Sequence, residues 1–163
     1  MRYSALIAGL LAEIASSAFV APVELAVTGC TLPAQFTISN FMTFGDKSNG
    51  TVELTSFDFA DAGTGITTAC QQNSTSVSTS PNGGTARYYC DDENVQFIYQ
   101  TTGIAGLTMI ERACTDSDST SKYEASGDAQ FNLTCTTTYE GKTCRSNGTT
   151  TEDFSSINPV SSN

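Results

Sequence analysis

The stretch TVELTSFDFADAGTGITTAC, residues 51–70, decides the fold. Val52 and Leu54 alternate with polar neighbours. Phe57 and Phe59 then alternate again, one step out of phase. After a break rich in Gly, Asp and Thr, the alternation resumes at Ile66, Thr68 and Cys70. Period two is the mark of strands with one buried face, and the change of phase within the first run predicts a bulge at Thr55-Ser56. The same pattern extends outward in both directions. Upstream, QFTISNF (35–41) places Phe36 and Ile38 on one face. Downstream, Ala86, Tyr88 and Cys90 share a face, followed by Val95, Phe97 and Tyr99 within VQFIY. Leu107, Met109 and Glu111 alternate with Thr108, Ile110 and Arg112, where either set can face inward. Phe131, Leu133 and Cys135 alternate with Gln130, Asn132 and Thr134. Seven or eight short strands punctuated by turn residues predict an all-β chain: a compact antiparallel β-barrel or sandwich stabilised by disulfides.

Composition supports that reading and removes several functions. A chain of 163 residues suits one domain. It is rich in Ser and Thr and poor in strong helix formers. Seven Lys and Arg stand against 17 Asp and Glu, for a net charge of -10. That balance argues against nucleic acid, whose phosphates reward clustered cations. Histidine is absent, which excludes Ser-His-Asp and Cys-His nucleophilic sites and His-ligated zinc.

Residues 1–18 read as a secretory signal peptide: Arg2, the apolar run ALIAGLL (5–11), and Ser16-Ser17-Ala18 before Phe19. The apolar run is far shorter than the ~20 residues that cross a bilayer, so no membrane anchoring is expected. An N-terminal arm (19–29), a β-barrel domain (30–146) and a flexible polar tail (147–163) complete the expected organisation. In an exported chain the six cysteines imply disulfides. Cys70 with Cys90 and Cys135 with Cys144 are the natural local pairs. Cys30 and Cys114 remain, either joined to each other or with Cys30 linking two chains, so monomer and homodimer both stay open. No CxxC spacing points to a metal. Four Asn-x-Thr sequons, at Asn49, Asn73, Asn132 and Asn147, are candidate glycosylation sites.

The order of these segments resembles the fungal family of the major Alternaria allergen. The likeness rests on Cys30, on Phe36, Ile38, Ser39 and Phe41, on FDFADAGTGITTAC ending at Cys70, and on Arg87-Tyr88-Tyr89-Cys90. It continues through VQFIY, GLTMIE and the closing cysteine pair, and spans about residues 30–144. The resemblance implies a secreted β-barrel allergen, elicitor or effector without established catalytic chemistry. It implies Cys70–Cys90 and Cys135–Cys144 bridges and Cys30 as a dimer-forming cysteine. A plant defence protein or a small phenolic ligand are the partners it suggests. Two departures stand out: Cys114 has no counterpart, and this chain has no Trp.

Among residues with chemical potential, Asp91-Asp92-Glu93 pairs carboxylates, but adjacent residues on a turn diverge, so a solvated turn is expected rather than general acid–base work. Asp116-Ser117-Asp118 resembles the opening of a calcium loop yet lacks its Gly and closing Glu. No catalytic residue, metal or cofactor is therefore expected. The functional expectation is a secreted, non-enzymatic binding protein acting on host molecules. A cell-wall-associated structural protein and a small carboxylate-dependent hydrolase are the alternatives.

Overall fold

The computed structural model describes residues 29–46, 51–80, 84–101, 106–115 and 120–160. The expected signal peptide, nearly all of the N-terminal arm, Asn49 and Asp116-Ser117-Asp118 lie outside them. The described chain is all-β, with eleven antiparallel strands: β1 (Gln35–Gly45), β2 (Val52–Asp61), β3 (Ile66–Gln72), β4 (Tyr88–Tyr89), β5 (Val95–Gln100), β6 (Gly106–Thr115), β7 (Ser121–Ala129), β8 (Leu133–Thr137), β9 (Lys142–Ser146), β10 (Thr150–Asp153) and β11 (Ser156–Pro159). One sheet runs β3-β2-β1-β9-β8, with β10 also on β1; the other runs β11-β7-β6-β5-β4. The two sheets stay separate, so the fold is a sandwich rather than a closed barrel.

Phenylalanine fills the space between them. Phe36, Ile38, Phe41, Phe57 and Phe59 from the first sheet meet Val95, Phe97, Leu107 and Met109 from the second. Phe57 and Phe97 face each other across the gap edge-on, with centroids 5.0 Å apart, a favoured aromatic geometry. Phe131, partly buried, stacks on Phe41 at 4.1 Å and packs against the core.

The phase change in the sequence has a different origin from a bulge at Thr55-Ser56. Strand β2 runs without a break against β3 from Thr55↔Gln72 to Asp61↔Ile66. Thr55, Phe57, Phe59 and Asp61 all point inward and Leu54 lies on the opposite, half-buried face, while Val52, paired with Gly45, returns to the inner side beyond a register shift at Glu53. Two register shifts interrupt the β1–β2 pairing: one leaves Glu53 of β2 as an extra residue between Phe44↔Leu54 and Gly45↔Val52, and the other lies on β1, where pairing jumps from Ser39↔Asp58 to Met42↔Ser56. The extra residue there is accommodated by Asn40 at φ 54°, a left-handed conformation that Asn tolerates better than most residues. Its Nδ2 donates to Asp58 Oδ2 at 2.6 Å. The bulge explains why Phe36 and Ile38 are followed inward by Phe41 and Thr43. It also divides β1 between two partners, β10 along its first half and β9 along its second.

The expected flexible tail from 147 onward is also corrected. Strand β10 pairs with β1 from Gln35↔Asp153 to Ile38↔Thr150, and β11 pairs with β7 from Ser156↔Ser126 to Pro159↔Tyr123. The chain thus crosses from one sheet to the other at Phe154-Ser155. There the Phe154 N–H donates to Ala34 O and the Ser155 N–H to Ser126 O, both at 2.9 Å. Backbone hydrogen bonds hold this polar ribbon, and Phe154 fastens it with a ring contact to Phe36 at 4.9 Å. The domain therefore extends to Pro159 rather than ending at 146.

Gly127 makes that crossing possible. A Cβ there would sit 2.6 Å from Asp153 O and 2.8 Å from the Phe36 ring. Gly127→Ala is expected to lower stability by roughly 1–3 kcal/mol, the usual cost of overpacking, read as a reduced urea midpoint at unchanged m-value.

Candidate functional site

Strand β6 carries the most unusual side chain of the sandwich. Leu107 and Met109 point into the core, and the same phase carries Glu111 inward, which resolves the ambiguity left by the sequence. Glu111 pairs laterally with Val95 on one side and Ala125 on the other, and its side chain is 0 % exposed. A carboxyl without water or a hydrogen-bond donor is costly to ionise.

A second buried carboxyl lies opposite, on the other sheet. Asp61 ends β2 in phase with Phe57 and Phe59 and is 2 % exposed. Its Oδ1 accepts from the Gly63 N–H at 2.6 Å and the Thr64 N–H at 3.2 Å. These bonds fold residues 61–65 into a turn that Gly65, at φ 77°, completes. Asp61 Oδ2, Thr64 Oγ1 and both Glu111 carboxyl oxygens are buried without a hydrogen-bond partner. Thr64 and Asp61 are nonetheless the polar side chains that face Glu111 and act on it.

Burial is the main reason the Glu111 carboxyl is pushed up to about 7. The Thr64 hydroxyl works in the opposite direction, while the fields of Asp61 and, less strongly, Asp92 reinforce the rise. Beside Glu111 opens a cleft of about 260 Å³, lined by Thr31, Thr64, Asn94, Glu111, Arg112 and Thr115. The Cys30–Cys114 disulfide borders it. On the outer face of β6, Arg112 turns away to form an ion pair with Glu124 at 3.5 Å, and Glu124 also accepts from Arg87 Nη1 at 3.1 Å.

All six cysteines close within the chain. Cys70–Cys90 joins β3 of one sheet to the end of β4 on the other, and Cys135–Cys144 crosses the directly paired strands β8 and β9. Cys30 pairs with Cys114 within the chain, across 84 residues. Cys114 adopts φ 61° at this link.

The acidic run is a turn. Asp92 Oδ1 accepts from the Asn94 backbone and side-chain nitrogens at 2.9 and 3.0 Å, and the Asp92 N–H donates to Thr68 Oγ1 at 2.9 Å. Asp91 and Glu93 are exposed. Of the sequons, Asn132 and Asn147 are exposed and Asn73 is half-buried. Asn147 Nδ2 donates to Thr134 Oγ1 at 3.0 Å, and Asn73 Oδ1 accepts from Thr75 Oγ1 at 2.7 Å.

At the β8–β9 turn, Tyr139 is 85 % exposed. The hairpin beneath it is cross-linked and closely packed. Its ends are joined by Cys135–Cys144, Thr138 N–H donates to Gly141 O at 2.8 Å, and Gly141 packs so tightly that a Cβ would meet Gly45 O at 2.6 Å.

Among the described residues, no group of three or more acidic, histidine or cysteine side chains is arranged to hold a metal, and no helix is long and apolar enough to cross a membrane. No protein-family model matches the chain, and no curated protein matches it either.

Because Glu111 binds its proton more tightly folded than unfolded, it favours the native state below its ordinary value near 4.5, and that contribution is lost as pH rises through about 7. In a chelating buffer, unfolding free energy is expected to fall between pH 5 and pH 9 by an amount on the order of 3 kcal/mol. Glu111→Gln should remove most of this decline, with denaturant titration across pH as the check.

Proposed function

We propose that this chain is a secreted fungal binding protein, an effector or elicitor of allergen type that recognises a host molecule without turning it over. The observation that carries the reading is the set of three disulfides closed around a phenylalanine core in one chain. Disulfides persist in oxidising compartments, in accord with the signal-like residues 1–18 and the sequons. The resemblance of residues 30–144 to the family of the major Alternaria allergen supplies the fungal source and the host-directed role.

Recognition calls for a preorganised surface. Tyr139 offers one: a large amphipathic ring on a cross-linked hairpin loses little entropy on binding. Its hydroxyl donates to Glu140 Oε1 at 2.9 Å, which further narrows the ring's freedom. The net charge of -10 favours cationic partners, chiefly by accelerating encounter.

Biolayer interferometry against a panel of purified cationic plant defence proteins tests this reading. Saturable binding is expected to at least one, with Tyr139→Ala weakening it by about tenfold or more, in the range of an interface anchor, at unchanged melting temperature. Turnover of a polysaccharide panel that is lost in Asp92→Asn or Glu93→Gln would overturn the proposal in favour of a hydrolase.

A further inference from the structure

We propose that Glu111, Asp61 and Thr64 form a binding site for a hard divalent cation, Ca²⁺ in an extracellular setting. Four buried oxygens carry the inference: both carboxyl oxygens of Glu111, Asp61 Oδ2 and Thr64 Oγ1, which lie close enough to act on one another yet none of which has a partner in full hydrogen-bond geometry. Native interiors pair nearly all their buried polar atoms, and a group of orphans calls for a bound water or ion. The orphans on these three side chains are all oxygens and two of the side chains are acidic, the donor chemistry of Ca²⁺ rather than of a soft metal; Arg112, whose Nε also lacks a hydrogen bond, lines the same cleft with its charge drawn to Glu124 at 3.5 Å.

The surrounding architecture holds these donors in place. Asp61 is fixed by the two N–H groups on its Oδ1, so its second oxygen is left free. Those same bonds set the turn that carries Thr64. Glu111 comes from the opposite sheet, clamped between Val95 and Ala125. The site thus bridges the two layers of the sandwich, and a cation there would neutralise a carboxyl pair that otherwise repels itself across the gap. Asp92 adds negative field from the β4–β5 turn. The positive group nearest in the chain, Arg112, is engaged with Glu124 on the outer face.

Access and coordination number also fit. The cleft of about 260 Å³ is lined by Thr64 and Glu111, while the four oxygens themselves are closed to solvent, so a cation would reach them as these side chains part, with waters from the cleft completing a six- to eight-oxygen shell. Two protein carboxylates with several waters make a weak site, in the ~0.1–1 mM range of extracellular calcium modules.

The test uses the full disulfide-bonded protein after EDTA treatment and dialysis, melted at pH 8 with 10 mM CaCl₂ or with NaCl at matched ionic strength. CaCl₂ is expected to raise the melting temperature by about 3–6 °C over NaCl. Glu111→Gln and Asp61→Asn should abolish that difference, and the surface pair Asp91→Asn with Glu93→Gln should keep it. If either core variant fails to fold, calorimetric CaCl₂ titration of Thr64→Val replaces it, with affinity expected to fall several-fold. Equal melting in the two salts for the wild type would overturn the site. So would a calcium shift that survives in the core variants, or an unchanged affinity in Thr64→Val.

Discussion

The Cys70–Cys90 bridge is the constraint on which the sandwich depends. It ties the edge strand of one sheet to the edge strand of the other, and both sulfurs lie inside the phenylalanine core. In register with Cys70 stands Phe57, and on the other sheet Phe97 pairs with Tyr88, two residues before Cys90. The edge-to-face contact of Phe57 with Phe97 therefore sits at the cross-linked junction. Backbone bonds seal the same seam: Asp91 N–H donates to Ala69 O at 2.9 Å. On the far side, the chain itself stitches the sheets through Phe154-Ser155. A core without Trp is held shut along two sides, one by sulfur and one by backbone.

Those two closures explain why an acidic pair survives in the interior. Between sheets that cannot part, Glu111 and Asp61 approach from opposite layers, and the Cys30–Cys114 link borders the cleft above them. An ordinary carboxyl would swing to water; here β6 and β2 are pinned by neighbours on both sides. The result is an interior charge problem that a proton solves in acid and that a hard cation is suited to solve at higher pH. On the outside, the cross-linked β8–β9 hairpin presents the exposed Tyr139.

Much of this was legible in the residues, and the exceptions have physical causes. Alternation located β1, β2, β3, β5 and β6 because their inward residues are large and their outward ones polar. Strand β7 escaped because its inward positions are Ala125, Gly127 and Ala129, small so that Phe36 and the crossing chain can pack on them. Strands β10 and β11 escaped because backbone bonds, rather than apolar side chains, hold them. The irregularity on β2 falls at Glu53 rather than at Thr55-Ser56, because Leu54 belongs to the outer face and the change of phase comes before it, not after it. Glu111 and Asp61 carried a usable signal, each acidic at a position in phase with core residues, Leu107 and Met109 for one, Phe57 and Phe59 for the other. The turn at Asp91-Asp92-Glu93 drew attention by its charge density, whereas the interior pair is separated by 50 residues and met only in the folded sheets.

Mass-spectrometric mapping of disulfide-linked peptides from the non-reduced protein probes the closure of the fold most directly. Cleavage between the cysteines should release three linked pairs, Cys30 with Cys114, Cys70 with Cys90 and Cys135 with Cys144, all within single chains. Free thiols in the folded protein, or Cys30 joined to the same peptide of a second chain, would contradict the account.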